Sequence, residues 1–463
     1  FPTLTINSQT GKTTSGRYWS SSLIMIMQAG FEIKRAFLMH ERRIPEWLRH
    51  APAPSVRGFA VLAGIEAIAR GILISVFPLL IYNALQDAVV VSEVYFVIGL
   101  ISLFVGLLVP YFIRLIPRRW IYAIGTLMFS TGALLATLET PNTVIAGLAL
   151  TAVATVTTFV CFNAYVLDYV SKVDLGQLET SRLFYSALGW TIGPALGVYL
   201  YSWWAFAPFG IAAVAAIAML LTFLAMRLGN GKLIAKSRQG PTNPFAFFHR
   251  FFAQPRLIAG WLFAVIRSCG WWVYVVYFPI FAVQNGLSEQ LGGIALSISN
   301  GALFLTPMML RFMQRKSVRT AVRTGFLMSG LLFLLAGLLY QVPLAAVFCL
   351  MMGSFFLILL DVSGGLPFLL AVKPSERTEM SAIYASFRDV SGIVTPGAAW
   401  LVLLVAPISG VFIAGGAGLF CAWGLASKLH PRLGQSKISI EGAKELHFES
   451  ERLDAHNPVS AAK

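Results

Sequence analysis

Charge is what this chain has least of. Of its 463 residues only 12% are Asp, Glu, Lys or Arg, against 57% hydrophobic, and the mean hydropathy is +0.74. That balance excludes an ordinary soluble domain. Histidine and cysteine are scarce too, six and four residues. Cys161, Cys269, Cys349 and Cys421 fall inside apolar runs at no metal-ligand spacing and read as small buried hydrophobes. His40, His50, His249, His430, His447 and His456 lie outside those runs, so neither a metal site nor a histidine proton relay is expected within them. The chain has no GxxxxGK[ST] loop, which argues against ATP as energy source, and no paired acidic clusters that would hold magnesium and a prenyl diphosphate. Neither a cofactor nor an enzymatic activity is expected.

What the chain has instead is long apolar runs. A membrane-crossing helix needs about 20 apolar residues. Twelve such segments can be drawn, near 57–83, 89–113, 120–138, 143–168, 182–200, 203–226, 257–284, 290–313, 322–340, 343–370, 382–405 and 408–427. Continuous runs rather than alternating ones reject a β-barrel, so the expected fold is all-α and polytopic. Loops near 84–88, 139–142, 201–202, 285–289, 341–342 and 406–407 contain no Lys or Arg. The opposite loops carry Arg114, Arg118, Arg119, Lys172, a basic stretch over 227–256, Arg315, Lys316, Arg319, Lys373 and Arg377. Basic loops stay cytoplasmic during insertion, which puts both termini there. The net charge of +15 is then a product of topology and requires no nucleic-acid partner.

Five regions follow: a cytoplasmic, disordered leader over 1–56, six spans over 57–226, a cytoplasmic loop over 227–256, six more spans over 257–428, and a cytoplasmic tail over 429–463. The sequence does not open on Met, and Met39 is a candidate start. In the central loop Phe245, Phe248 and Phe252 recur at helical spacing beside His249 and Arg250, the pattern of a short helix lying on the membrane surface.

The two sets of spans echo each other. Placing Phe77-Pro78 on Phe278-Pro279 brings Ile65 onto Ile266 and Glu66 onto Arg267, and Gly193-Pro194 falls close to Thr395-Pro396. A duplicated membrane bundle points to a transporter. Ionisable groups inside a membrane cost at least about 2.5 kcal/mol each and therefore face a cavity or a partner. Glu66 and Arg70 stand one turn apart on the first span, near mid-depth by the ~1.5 Å rise per residue. They read as a proton site or as a self-neutralising ion pair. Arg267, Trp271, Tyr274 and Phe278 share one face of the seventh span, either lining a solute site or filling a helix groove with Arg267 paired to Glu66. Asp361 adjoins Gly364, Gly365 and Pro367, a composition that breaks helices and exposes backbone. Asn163 is polar at depth, Arg388 and Asp389 enter the eleventh span from the basic side, and Asp168 and Arg182 are read as a gate contact.

From Arg57 to Ser427 the chain resembles the major facilitator superfamily: twelve spans as two pseudo-symmetric six-helix bundles around a basic central loop, with matching first and seventh helices. The fifth span reads ALGWTIGPALG. Its Gly189, Gly193, Pro194 and Gly197 are similar to much of the glycine-proline motif of antiporters and drug exporters in that family, with Thr180 and Val198 at two of the motif's glycine positions. The loop after the second span keeps only Arg114, Arg118 and Arg119 of the family's pattern; the resemblance makes Asp389 a partner for Arg114 or Arg118. No sugar-porter arginine motif is present.

The resemblance implies a monomeric secondary active transporter in a bacterial inner membrane, working by alternating access around a cavity lined by spans one, four, seven and ten. The expected activity is proton-coupled efflux of a hydrophobic or amphipathic small molecule, with the proton carried by Glu66, or by Asp361 or Asp389. One alternative is proton-symport uptake of an anionic metabolite held by Arg70 and Arg267. Another is a non-transporting sensor or lipid-handling protein on the same fold.

Overall fold

The computed structural model describes residues 56–170, 175–226, 248–372, 380 and 383–429, all within one compact unit, Pro54–Lys463. The leader, the tail, Phe245, Lys172, Asp174, Lys373, Arg377 and the side chains of Arg114 and Asp168 lie outside the described residues. No strand occurs among those described. The spans are α1 (Val56–Leu85), α2 (Ala88–Leu115), α3 (Arg118–Ala136), α4 (Pro141–Tyr169), α5 (Leu175–Trp203), α6 (Phe206–Ala225), α7 (Pro255–Gln284), α8 (Gln290–Met313), α9 (Val318–Leu338), α10 (Pro343–Phe368), α11 (Phe387–Leu403) and α12 (Ser409–Ala426). Among the described residues nine of these helices are long and apolar enough to cross a membrane by length and composition alone. The other three, α3, α5 and α11, are less apolar: α3 opens on Arg118 and Arg119, α5 contains Arg182, and α11 carries Arg388 and Asp389.

Prolines explain where the spans bend. A proline lacks the N–H that would bond the carbonyl four residues earlier. Pro78 leaves Ile74 without that bond, and α1 is interrupted between Leu73 and Val76. Pro279, its echo in the second half, follows a π-turn over Val273–Tyr277. Pro307 follows a 3-10 turn over Ala302–Leu305, and Pro367 follows a break after Ser363. The repeat seen in the sequence is thus a repeat of helix defects.

Packing repeats in the same way. α1 lies on α5 as α7 lies on α11, and α3 lies on α4 as α9 lies on α10. Between the halves α5 meets α8 and α11 meets α2, the two crossings that a two-fold relation requires. The α1–α5 seam is closed by glycines. A Cβ on Gly189 would stand 2.7 Å from the Ala67 carbonyl carbon, one on Gly193 2.7 Å from that of Gly71, and one on Gly197 would strike the Ile72 oxygen. Without side chains there, backbones approach closely enough for dispersion to hold helices together where lipid removes the hydrophobic drive. The short surface helix, Phe248–Phe252, anchors through Phe251, which is fully buried beside Leu257 and Phe368, while Phe252 stays exposed.

Gly197→Val should break the α1–α5 seam. Overpacking of this kind costs about 1–3 kcal/mol or more. Thermal unfolding in detergent should show a lowered midpoint, whereas Gly424→Ala, at a position with open space around it, should leave the midpoint unchanged. Equal midpoints for the two variants would contradict the seam.

Candidate functional site

The centre of the molecule is assembled from the ionisable groups of both halves. The interruption of α10 at Gly364-Gly365 leaves Asp361 at the end of its first segment, facing α7. There the Arg267 Nε stands 3.1 Å from Asp361 Oδ1, and the Trp271 indole N–H donates to Asp361 Oδ2 at 2.9 Å. Arg267 also donates to the Leu360 carbonyl at 3.4 Å. Asp361 keeps 35% of its side-chain surface open and Arg267 11%, so the pair lines a space rather than filling one. In the first half Arg70 Nη1 lies 3.2 Å from Glu66 Oε1, one turn along α1, with its guanidinium 5.3 Å from the Trp190 ring of α5. The expected Glu66–Arg267 pair does not form. Each takes a partner within its own half, because the one-turn spacing on α1 and the broken end of α10 present nearer counter-charges.

Arginines and aromatic rings alternate across the divide between the halves. Arg182 on α5 lies 5.9 Å from the Phe159 ring of α4 and 5.2 Å from Phe162. Arg388, from α11 in the other half, lies 5.1 Å from the same Phe159 ring and 5.7 Å from Phe387. Phe387 in turn carries Arg267 at 5.3 Å. Arg70, Arg182 and Arg267 all act electrostatically on Arg388. Arg388 is exposed and makes no ion pair among the described residues. Asn163, half-buried on α4, forms no hydrogen bond among them either. Such an array presents cationic, planar, partly desolvated donors to the space between the bundles.

Other expected site residues fall elsewhere. Tyr274 and Phe278 are 1% exposed, stacked on each other at 5.3 Å, and the Tyr274 hydroxyl joins Ser299 and Ser354 in a buried network between α7, α8 and α10. The two rings nevertheless continue the row begun by Trp271, whose ring stands 6.0 Å from that of Tyr274 in an edge contact, at the start of the π-turn over Val273–Tyr277. Arg118 lies 5.0 Å from the Tyr165 ring of its own half, and the charge acting on Asp389 is the adjacent Arg388.

Pro194 holds the two halves together. Lacking an N–H, it leaves the Trp190 carbonyl without its helical donor, and Asn300 Nδ2 from α8 donates to that oxygen at 2.7 Å. One residue past the proline, the Ala195 N–H donates to Ser297 Oγ at 2.8 Å. Gly293 packs against the Pro194 carbonyl and Val198. The opposite crossing is built alike: Pro396 frees the Gly392 carbonyl, which faces Gly99 on α2 so closely that a Cβ there would stand 2.8 Å from it. Further bonds join Tyr277 to Ser92 and Gln290 to Ser202. These cross-half bonds run from mid-span to the ends remote from the basic loops. Sequence reading missed Phe159, Phe387, Ser297 and Asn300. Asn300 could have been found as a lone amide in an apolar span facing a half that owes a proline-freed carbonyl a donor.

The sequence matches the profile of the Major Facilitator Superfamily over residues 59–396. The chain belongs to that superfamily. Its fold is similar to that of the nucleoside transporter NupG, at 13% identity and a TM-score of 0.62, covering 81% of this chain and 100% of that one. It is similar also to a POT family transporter solved in complex with 5-aminolevulinic acid, at 13% identity and TM-score 0.64, covering 83% and 99% of the two chains. A third likeness is to a bacterial homologue of the iron transporter ferroportin in an inward-facing state, at 12% identity and TM-score 0.60, covering 81% and 97%. At these identities the likeness is one of fold. No curated protein gives a significant sequence match. Membership of the superfamily makes this an integral membrane protein of transporter type, all-α, with two pseudo-symmetric six-helix bundles.

Two outcomes test this superfamily member's site. Removing one partner of a fully buried ion pair costs about 3–5 kcal/mol, and less where a partner is open to water as Asp361 is. Asp361→Asn should therefore lower the unfolding midpoint, and adding Arg267→Gln should recover part of the loss, giving a measurable coupling in the double-mutant cycle. Additive losses would mean that the pair carries no interaction. Asn300→Ala should leave the Trp190 carbonyl unbonded and raise alkylation of a cysteine placed at Ser297, at unchanged expression; an unchanged rate would show that the α5–α8 crossing does not depend on that bond.

Proposed function

We propose that this superfamily member is a proton-coupled secondary active transporter whose cargo is a small organic anion with an aromatic or apolar body. The observation that carries the reading is Arg388, a cation between two phenylalanine rings from opposite halves that forms no ion pair among the described residues, the carboxylate acting on it being the adjacent Asp389. A guanidinium so placed offers a charge to an anion and a flat surface to the rest of the solute. Arg70, Arg182 and Arg267 around it raise the local positive potential, which an anionic solute relieves. With Tyr274 and Phe278 buried, the aromatic wall for a purely hydrophobic solute is reduced to Trp271 on α7.

Coupling follows from the Arg267–Asp361 pair. A proton on Asp361 removes its claim on Arg267 and frees the guanidinium for the solute's anion, so proton and anion enter together without changing the charge of the cavity. Asp361 suits the role better than Glu66 because its pair joins two spans, whereas Glu66 and Arg70 move with one helix. Alternating access would then open the α5–α8 and α2–α11 crossings while the basic ends approach each other. On the topology set by the basic loops, in a bacterial inner membrane with cytoplasmic termini, the closed ends are external and the cavity opens inward. This stoichiometry favours symport. Export of an amphipathic molecule is the second reading, supported by the glycine-proline seam of α5 against α1.

Proteoliposomes holding the purified monomer and an internal pH-sensitive dye test both. Organic anions should drive proton movement in the same direction as the solute, and Arg388→Gln should reduce it about tenfold or more, since a charge-assisted contact is worth roughly 1.5–3 kcal/mol. Asp361→Asn should abolish proton movement while leaving solute exchange intact. Proton movement driven by neutral or cationic solutes and indifferent to Arg388→Gln would sink the anion reading, and counter-directed protons would favour export.

A further inference from the structure

Away from the central cavity, the end of α9 nearest the basic loops contains a second cationic site. Between α9 and α12 lies a pocket of about 430 Å³ lined by Lys316, Arg319, Thr320, Arg323, Thr324 and Trp423. None of its cations forms an ion pair among the described residues, and from Arg311 to Asp361 the sequence contains Arg311, Arg315, Lys316, Arg319 and Arg323 and no acidic residue before Asp361 itself. Arg319 is held in place by donating to the Ser427 carbonyl at the end of α12, at 2.5 Å. Arg323 lies 5.7 Å from the Trp423 ring. Both guanidinium groups nevertheless keep a buried Nε without a hydrogen-bond partner among the described residues. The site therefore combines fixed positive charge, two threonine hydroxyls, unused N–H donors and an aromatic wall.

Depth decides what chemistry this suits. Arg319 and Arg323 are in the first two turns of a membrane-spanning helix, within about 9 Å of its end by the helical rise. That is the level of lipid headgroups. Deeper along the same two helices, Leu331 on α9 and Phe420 on α12 are exposed at 41% and 36%, giving an apolar face beneath the cationic pocket. A phosphodiester headgroup in the pocket with its acyl chains descending along that face matches both parts. A soluble phosphate would use only the upper one.

We propose that the α9–α12 pocket binds the phosphate of an anionic phospholipid in the leaflet facing the basic loops, with Lys316, Arg319 and Arg323 as its ligands. The site is separate from the solute cavity, and it ties the outer helices of the second bundle to the bilayer.

The purified protein in detergent micelles doped with equal amounts of phosphatidylglycerol and phosphatidylcholine provides the test, with bound lipid read by native mass spectrometry. Wild type should retain phosphatidylglycerol in preference, and Lys316→Gln with Arg323→Gln, which spares the Arg319–Ser427 bond, should lower that preference by at least about fivefold. Arg311→Gln with Arg315→Gln removes as many charges outside the pocket and should leave the preference intact; an equal loss there would mean diffuse attraction by the basic face and would overturn the site. Thr324→Asp keeps every cation but places a carboxylate in the pocket, so it must lose the preference too, and it decides the matter should the first pair unfold the helix end. Displacement of phosphatidylglycerol by excess inorganic phosphate, beyond that caused by chloride at the same ionic strength, would assign the pocket to soluble phosphate. No preference in wild type would remove the proposal.

Discussion

A backbone carbonyl that loses its helical donor inside a membrane has no water to turn to, and the contact between the two halves of this protein is organised around such carbonyls. Pro194 frees the oxygen of Trp190, and the donor that takes it, Asn300, belongs to the other half. Ser297 accepts from the next N–H along α5. Pro396 repeats the situation on α11, where the Gly392 carbonyl meets the glycine surface of α2. A proline-made gap in one half is thus closed by the other, and these polar contacts sit beside an apolar core that both halves share. Contacts of this kind exchange partners at a cost of one or two hydrogen bonds, of order 1 kcal/mol each net, as the alternating access proposed above requires.

The same chemistry positions the charges. Breaks ahead of Pro78, Pro279 and Pro367 interrupt α1 and α7 within the span and α10 toward its C-terminal end. The break in α10 leaves Asp361 beside Arg267 and Trp271, while Tyr274 and Phe278, next in the same row of rings, are buried. The glycine seam keeps α5 against α1, which sets Trp190 beside Arg70. There two carboxylate–arginine pairs stand near Arg388, which lies between the Phe159 and Phe387 rings with Asp389 next to it in the chain.

Much of this was legible from residue types. The twelve spans and their duplicated order follow from apolar length, and Glu66, Arg70, Arg267, Asp361 and Arg388 stand out as candidates because placing charge in lipid is costly. The role of Pro194 among its glycines was legible in kind, as a close-packed interface. Less legible were partners. Glu66 and Arg267 occupy equivalent positions in the repeat, which suggests a pair, yet ion pairing follows distance and not sequence equivalence. Tyr274 and Phe278 follow Trp271 in one row of rings, as their spacing suggests, but α8 and α10 cover Tyr274, and spacing along α7 does not show what covers it.

Sequence alone therefore determined the class of the protein: composition sets the solvent, apolar length sets the number of spans, and the spacing of prolines and glycines sets where helices bend and touch. Tertiary structure decided which charges meet. Phe159, Phe387 and Ser297 carry no signal of their own, because a phenylalanine or a serine in a span is ordinary until a guanidinium or a backbone group from a distant helix is brought against it, and the amide of Asn300 is conspicuous without naming its partner. The anionic character of the proposed solute likewise depends on the convergence of four arginines from four helices. Such convergence is a property of packing, and local periodicity does not contain it.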